Sequence, residues 1–260
     1  MGSNQNKKIG EENMDNLQNY DIIVSDVIHR IAKEEAKAIR RAAAVMTDSI
    51  SKGRLINVFG PGSHSQLFAL EMFYRAGGLA PIRPWVPPAI TYIKSIYTVL
   101  FCEETPGFGT ALLKEYPVGK DDVLIIANPN GINCCAIEVA LGAKKKGLTV
   151  IGVSSPAFSN SVPDDFYARH PSKKNLHEVV DITIDCKQPP GDAAIEIPGS
   201  VQKVAPVSGV AQMFIASALV IAVTEECITR AIEPPVFRSG HISGGEEYNA
   251  KMVDELFQKL

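Results

Sequence analysis

The spacing of apolar residues divides the chain into helices alternating with short buried strands. From about Asp21 to Ser51, Ile39, Ala43, Met46 and Ile50 recur at helical spacing among Lys, Arg and Glu, which predicts one long amphipathic helix opening the fold. Arg54 to Phe59 predicts a short strand, followed by the turn Gly60-Pro61-Gly62-Ser63-His64-Ser65 and a helix to about Arg75 that Gly77-Gly78 stops. Leu79 to Val86 reads as a second, proline-broken strand, with helix on each side of Thr105-Pro106-Gly107. Val123 to Ala127 predicts a buried strand, Asn128 to Asn133 a loop, the stretch through Lys146 a helix capped by Gly147, and Leu148 to Val153 another strand. That is a βαβ unit, hence a parallel pair with a right-handed crossover. A helix near Asn175 to Val179, a strand over Asp181 to Asp185, a Pro- and Gly-rich connection from Lys187 to Val204 and an apolar helix over about Val207 to Arg230 follow. The alternation predicts an α/β fold, an open parallel sheet with helices on both faces.

Composition narrows the function classes. With 260 residues, 45% of them apolar, and a net charge of -3, the chain can bury an ordinary core as one large domain. The near-neutral balance lacks the basic patch of a nucleic-acid binder, and Lys144-Lys145-Lys146 reads as a helix end where cations suit the dipole. The most apolar run, Met213 to Val223, is short for a membrane span and reads as a buried helix. Cys102, Cys134, Cys135, Cys186 and Cys227 are odd in number and scattered, which fits a reducing cytoplasm better than a disulfide framework. No CxxC or HExxH spacing argues for a zinc site. The opening MGSNQNKKIGEEN has no apolar signal region; residues 1–15 are set aside as a disordered or cloning-derived tail, leaving 16–260 as the single domain with its C-terminal extension.

In an open parallel sheet, ligands sit beyond the carboxyl ends of the strands. Two loops stand there. Gly60 to Ser65 offers glycines for close backbone approach, hydroxyl donors and the positive end of a helix dipole, the requirements of a small oxyanion. The second supplies Asn128, Asn130 and Asn133 as donors, with Gly131 free to take a positive φ. The first loop is neither a dinucleotide fingerprint, since Ser65 stands where a third glycine or alanine belongs, nor a phosphate-binding Walker loop, since Gly-Lys-Ser/Thr is absent from it. A mononucleotide or sugar phosphate fits it better, beside the plainer reading of a packing turn.

The two loops, together with the turn Lys203-Val204-Ala205-Pro206-Val207-Ser208 into an apolar helix, resemble the sugar isomerase (SIS) domain family. FYRAGGLAPI, RHPSKKNLHEV, PPGDAAIEIPG and EPPVF resemble, more closely, an uncharacterised bacterial group of SIS proteins of the phosphoheptose isomerase type, over roughly Asn16 to Val253. The resemblance implies a five-stranded parallel sheet between helices and homodimers or homotetramers with sugar-phosphate sites at subunit interfaces. Gly60, Gly62 and Ser63 match the family's Gly-x-Gly-Ser/Thr turn, and Ser208 the hydroxyl of its Ala-Pro-Thr-Ser. The second loop departs from the family's Ser-x-Ser-Gly pattern: a hydroxyl and an arginine that would grip phosphate are missing, which leaves another anionic or a neutral sugar open.

Interconversion of an aldose and a ketose through an enediol needs a base that moves a proton between adjacent carbons and a donor that polarises the carbonyl. Four residues are candidates for these roles. His64 is embedded in the first loop, and Glu71 lies two helical turns beyond it. Glu104 follows Glu103 before Thr105-Pro106-Gly107, read as a loop from which a carboxylate can enter a site. His241, within Gly240-His241-Ile242-Ser243-Gly244-Gly245, resembles a histidine segment that some SIS isomerases place in a neighbouring subunit's site. The expected binding set is Gly60, Gly62, Ser63, Ser65, Asn128, Asn130, Gly131, Asn133, Ser154 and Ser208. The expectation is a cytoplasmic isomerase of an anionic, in the first instance phosphorylated, sugar; the chemistry calls for no cofactor or metal, and no nucleic acid or membrane is expected as a partner. The alternatives are a sugar-phosphate sensor without turnover and a lyase or etherase built on the same domain.

Overall fold

The computed structural model describes residues 4–91 and 95–260, the side chains of 4–14 and of Ser63 excepted. Two helices, α1 (Asn4–Glu34) and α2 (Ala36–Ser51), precede the sheet strand β1 (Ile56–Phe59) and α3 (Ser63–Met72). Then come β2 (Ile82–Trp85), α4 (Ile96–Glu104), α5 (Phe108–Glu115), β3 (Val123–Ala127), α6 (Cys134–Lys145) and β4 (Thr149–Ser154). The short helices α7 (Pro156–Ser161) and α8 (Leu176–Val179) lead to β5 (Ile182–Asp185), a two-stranded ribbon of β6 (Ala193–Ile195) and β7 (Val204–Pro206), the long α9 (Ser208–Thr229) and α10 (Gly245–Phe257).

The sheet is five-stranded and parallel, in the order β2-β1-β3-β4-β5. Strand alternation divides the core into two layers. Ile56, Val58, Ile125 and Ala127 face one side, under α1, α2, α3 and α9; Phe59, Leu124 and Ile126 face the other, under α4, α5, α6 and α8. Asn57 is a buried polar residue inside the sheet: its Nδ2 donates to the Val123 carbonyl and its Oδ1 accepts from Trp85 Nε1 at 3.2 Å. Trp85 in turn stacks on Tyr116, with 4.1 Å between ring centroids. The chain leaves β1 towards β2 on one side and β3 on the other, so the sheet has its topological switch point between β1 and β3, where crevices for ligands form.

The fold class agrees with the pattern of the sequence, and the differences are local. The opening helix divides at Glu35, whose carboxylate accepts from the Asp185 backbone N–H and from Lys187 Nζ; α2 restarts beyond it and packs along α9. The connection from Lys187 to Val204 contains the β6–β7 ribbon. The segment around Gly240 is anchored: Leu79 bridges Val236, and Phe237 with Leu256 of α10 packs against Leu55 and Ala80. By length and composition α9, with 22 residues, could cross a membrane, a point the short run Met213 to Val223 concealed. In the fold Ala211, Ile215, Leu219, Val223 and Cys227 lie buried against the sheet-side helices as the central strip of one core layer.

Candidate functional site

A cavity of about 260 Å³ opens at the switch point. The loop after β1 contributes Pro61, Gly62, His64 and Ser65, and the loop after β3 contributes Asn128, Pro129 and Asn130. Glu103 enters from α4; Gln188, Asp192, Ser208 and Gln212 enter from the segment after β5 and the start of α9.

The first loop is shaped by steric demands at its glycines. Gly62 has φ 77°, a conformation that L side chains rarely adopt, and it caps α3. A Cβ on Gly60 would overlap the backbone carbonyl of Ser65. The turn therefore delivers the N-terminus of a ten-residue helix into the cavity, where the positive end of its dipole favours an anion. Ser65 is buried and His64 is exposed at the mouth. The side chain of Ser63 lies outside the described residues.

The second loop closes on itself. Asn128 Oδ1 accepts from the Gly131 N–H at 2.7 Å, and Gly131 takes φ 65°, so the amide NH2 of Asn128 is the end left for a ligand. Asn130 and Gln188 join the loop to the chain after β5, with Gln188 Nε2 donating to Asn130 Oδ1. Gly131, Asn133 and Ser154 stand behind the cavity wall: Gly131 packs on Ser154, and Asn133 starts α6. Ser208 reaches the cavity, and its hydroxyl donates to Asp192 Oδ2 at 2.7 Å. Asp192 Oδ1 accepts from the N–H groups of Val207 and Ser208, so this carboxylate holds the N-terminus of α9.

Glu103 is the buried acid of the cavity. It is 8% exposed, its Oε1 has no hydrogen-bond partner, and burial followed by the charge of Glu104 raises its pKa to about 7. Glu104, its neighbour, is half-buried, raised by burial, and outside the cavity lining. Both lie in the last turn of α4, where the sequence reading expected a loop, and the helix decides which of two adjacent carboxylates turns inward. Glu103 would have emerged from the sequence through the apolar positions of α4, since Val99 and Cys102 share its buried side.

The other expected acid-base residues lie elsewhere in this chain. Glu71 pairs with Arg75 and borders a separate hollow with Ala216 and Ser217 of α9. His241 borders a larger hollow of about 680 Å³ with Arg238, Tyr74 and Glu246. Gly62, His64, Ser65, Asn128, Asn130 and Ser208 are therefore brought together, and Glu103, Gln188, Asp192 and Gln212 join them without having been singled out.

The SIS domain family matches residues 19–155. A UPF0309 protein of Shouchella clausii is 36% identical over 242 residues, covering 93% of this chain and 96% of that protein. One from Oceanobacillus iheyensis is 32% identical over 240 residues, covering 92% and 96%. Among solved structures, a phosphoheptose isomerase from Francisella tularensis superposes with a TM-score of 0.53 at 14% identity, covering 82% of this chain and 98% of that one. A phosphoheptose isomerase from Neisseria gonorrhoeae does so at 0.50 and 13%, covering 85% and 99%. At such identities the likeness is one of fold.

Proposed function

Because this chain belongs to the SIS domain family, we propose that it is a sugar isomerase, interconverting an anionic, phosphorylated aldose and ketose by proton transfer through an enediol. The observation that carries this reading is Glu103, a buried carboxyl with a pKa near 7 in a cavity at the sheet's switch point. A carboxylate so placed can take a proton from one carbon and return it to the next at neutral pH. In this reading the amides of α3's first turn, with Ser63 and Ser65, hold the anionic end of the sugar, and His64 at the mouth binds it or donates to the carbonyl oxygen. The NH2 of Asn128 and the side chains of Asn130 and Ser208 bind hydroxyls. The solved phosphoheptose isomerases of like fold make sugar phosphates the first substrates to try.

A homodimer or homotetramer is part of the same reading. Leu67 and Leu70 on α3, Tyr74 just beyond it and Ile221 on α9 are exposed, and a second copy seated there could bring its His241 towards the cavity. A cytoplasmic location belongs to the same reading, supported by five free, buried cysteines.

The test is incubation with a panel of aldose and ketose phosphates in deuterated water, followed by detection of exchange at the carbon beside the carbonyl. Exchange that is lost in Glu103→Gln supports the assignment, and no exchange with any substrate refutes it. A second reading, a sensor that binds without turnover, draws on Asp192, which already occupies the helix start at Ser208. Tight binding by calorimetry with no exchange would establish that reading.

A further inference from the structure

The polar groups around the cavity are unevenly distributed between donors and acceptors. Two carboxylates, Glu103 and Asp192, stand in its wall, and neither Lys nor Arg does among the described residues. The Gln212 amide is oriented by a backbone carbonyl, and the Gln188 amide is paired with that of Asn130. Gln212 Nε2 donates to the Ser208 carbonyl and Gln188 Nε2 to Asn130 Oδ1, so both glutamines keep their oxygens without a partner. Glu103, Gln188 and Gln212 are 8, 2 and 1% exposed, and each retains one buried, unpartnered oxygen. Buried acceptors left in this state call for an explanation, since each costs the desolvation of its lone pairs.

A dianionic sugar phosphate with hydroxyls alone would satisfy the α3 end of the cavity and bring further negative charge to a wall that holds Glu103 and Asp192 and, among the described residues, neither Lys nor Arg, the N-terminus of α9 meeting the charge of Asp192 alone. A protonated amine answers both features at once, offering three N–H donors and one positive charge. We infer that the sugar taken by this cavity carries a free, protonated amino group, on a carbon outside the carbonyl pair, lying among Glu103, Asp192, Gln188 and Gln212. This inference rests on the isomerase reading for the position of the sugar and adds its substrate class. The anionic end stays at α3, and the ammonium lies towards the start of α9.

The experiment measures binding and exchange separately on the full chain. Hexose 6-phosphates in which an amino group replaces the 3- or the 4-hydroxyl are compared with their hydroxyl parents and N-acetyl derivatives by calorimetry at pH 7. At least one amino sugar should bind tenfold or more tightly than both its parent and its acetamide. Gln212→Leu and Gln188→Leu should each reduce that preference, read as the ratio of amino-sugar to hydroxyl-sugar affinity in the same variant, to threefold or less. Asp192→Asn should do so as well, and the glutamine variants carry the test if loss of the Asp192 charge unfolds α9. Equal affinity for amino and hydroxyl sugars overturns the inference. Deuterium exchange on the hydroxyl sugars would in that case leave the isomerase reading standing, whereas amino preference without exchange on any sugar removes the isomerase and keeps the inference.

Discussion

Gly62 sets its Cα against the carboxyl group of Glu103, so closely that a Cβ at position 62 would overlap Glu103 Oε1. The glycine that turns the chain into α3 is thus also the one that admits the buried acid. Gly62→Ala meets both the overlap and the strain of φ 77°, and is expected to cost about 1–3 kcal/mol of stability. Because the displaced carboxyl leaves its position, turnover should fall by more than the loss of folded protein accounts for. Thermal melting and exchange rates on the same samples check this; a variant that melts and turns over like the parent would show that the loop has room the geometry denies.

The second prediction concerns Glu103 itself. Its pKa is raised to about 7, so between the ordinary value of 4.5 and 7 the folded protein holds a proton that the unfolded chain has lost. Stability from this group is complete below pH 4.5 and declines as pH rises through 7, by roughly 3 kcal/mol at about 1.4 kcal/mol for each unit. Glu103→Gln removes that decline, so the variant should gain stability relative to the parent on going from pH 5 to pH 8, while its turnover drops roughly 10²–10⁴-fold. Urea midpoints at the two pH values give the first quantity, and kcat/KM of the parent should rise to a plateau above pH 7 as the base ionises. Parallel stability profiles for the two proteins would place the raised pKa elsewhere.

The sheet and its loops were legible because strand and helix periods differ and because parallel strands buried on both faces read as continuous apolar runs, as in Val123 to Ala127. The first loop was legible for the same reason that Gly62 is needed. Glu103 and Asp192 were hidden by different causes. Glu103 was hidden because its stretch read as a loop; on the helix α4 the apolar positions Val99 and Cys102 mark it, and not Glu104, as the inward glutamate. Asp192 meets Ser208 across 16 residues of ribbon, and nothing local in Pro189-Pro190-Gly191-Asp192 announces that contact. The break at Glu35 is likewise set by a partner 152 residues away, Lys187.

Arg169 organises the long segment between α7 and α8. Its guanidinium donates to the carbonyls of Ser159, Val162, Pro163 and Lys173 and to Asn175 Oδ1, at 2.6 to 3.4 Å, and the residue is 8% exposed. Arg169→Ala leaves several of these oxygens buried without donors and is expected to cost about 3 kcal/mol. Lysine should not restore it, because one ammonium cannot span the positions that the planar fork reaches. Urea denaturation measures the loss, and hydrogen exchange should rise first over 156–176. Full rescue by lysine would mean that charge alone, and not the fork, holds the segment.

The last prediction tests the junction of α1, α2 and β5. Lys187 is 8% exposed at its side chain and lies 3.0 Å from Glu34, 2.6 Å from Glu35 and 3.1 Å from Asp185. Burial alone would lower its pKa, but the hydrogen bonds to Glu35 and Glu34 and the charge of Asp185 outweigh that and raise it. A raised lysine contributes stability that is lost only as pH rises through its elevated pKa, so the parent should show no loss from this group between pH 5 and 9. Lys187→Met leaves Glu35 and Asp185 facing each other without their cation, at a cost of about 3–5 kcal/mol near pH 7. The uncompensated carboxylates should then take up protons more readily in the folded than in the unfolded chain, so the deficit must shrink as pH falls towards 5. Since Gln188 follows directly and lines the cavity, ligand affinity should recover over the same range. Urea midpoints of parent and variant at pH 5 and 8 decide the point: a deficit equal at both would assign Lys187 a packing role, because lost packing does not titrate and an unpaired carboxylate does.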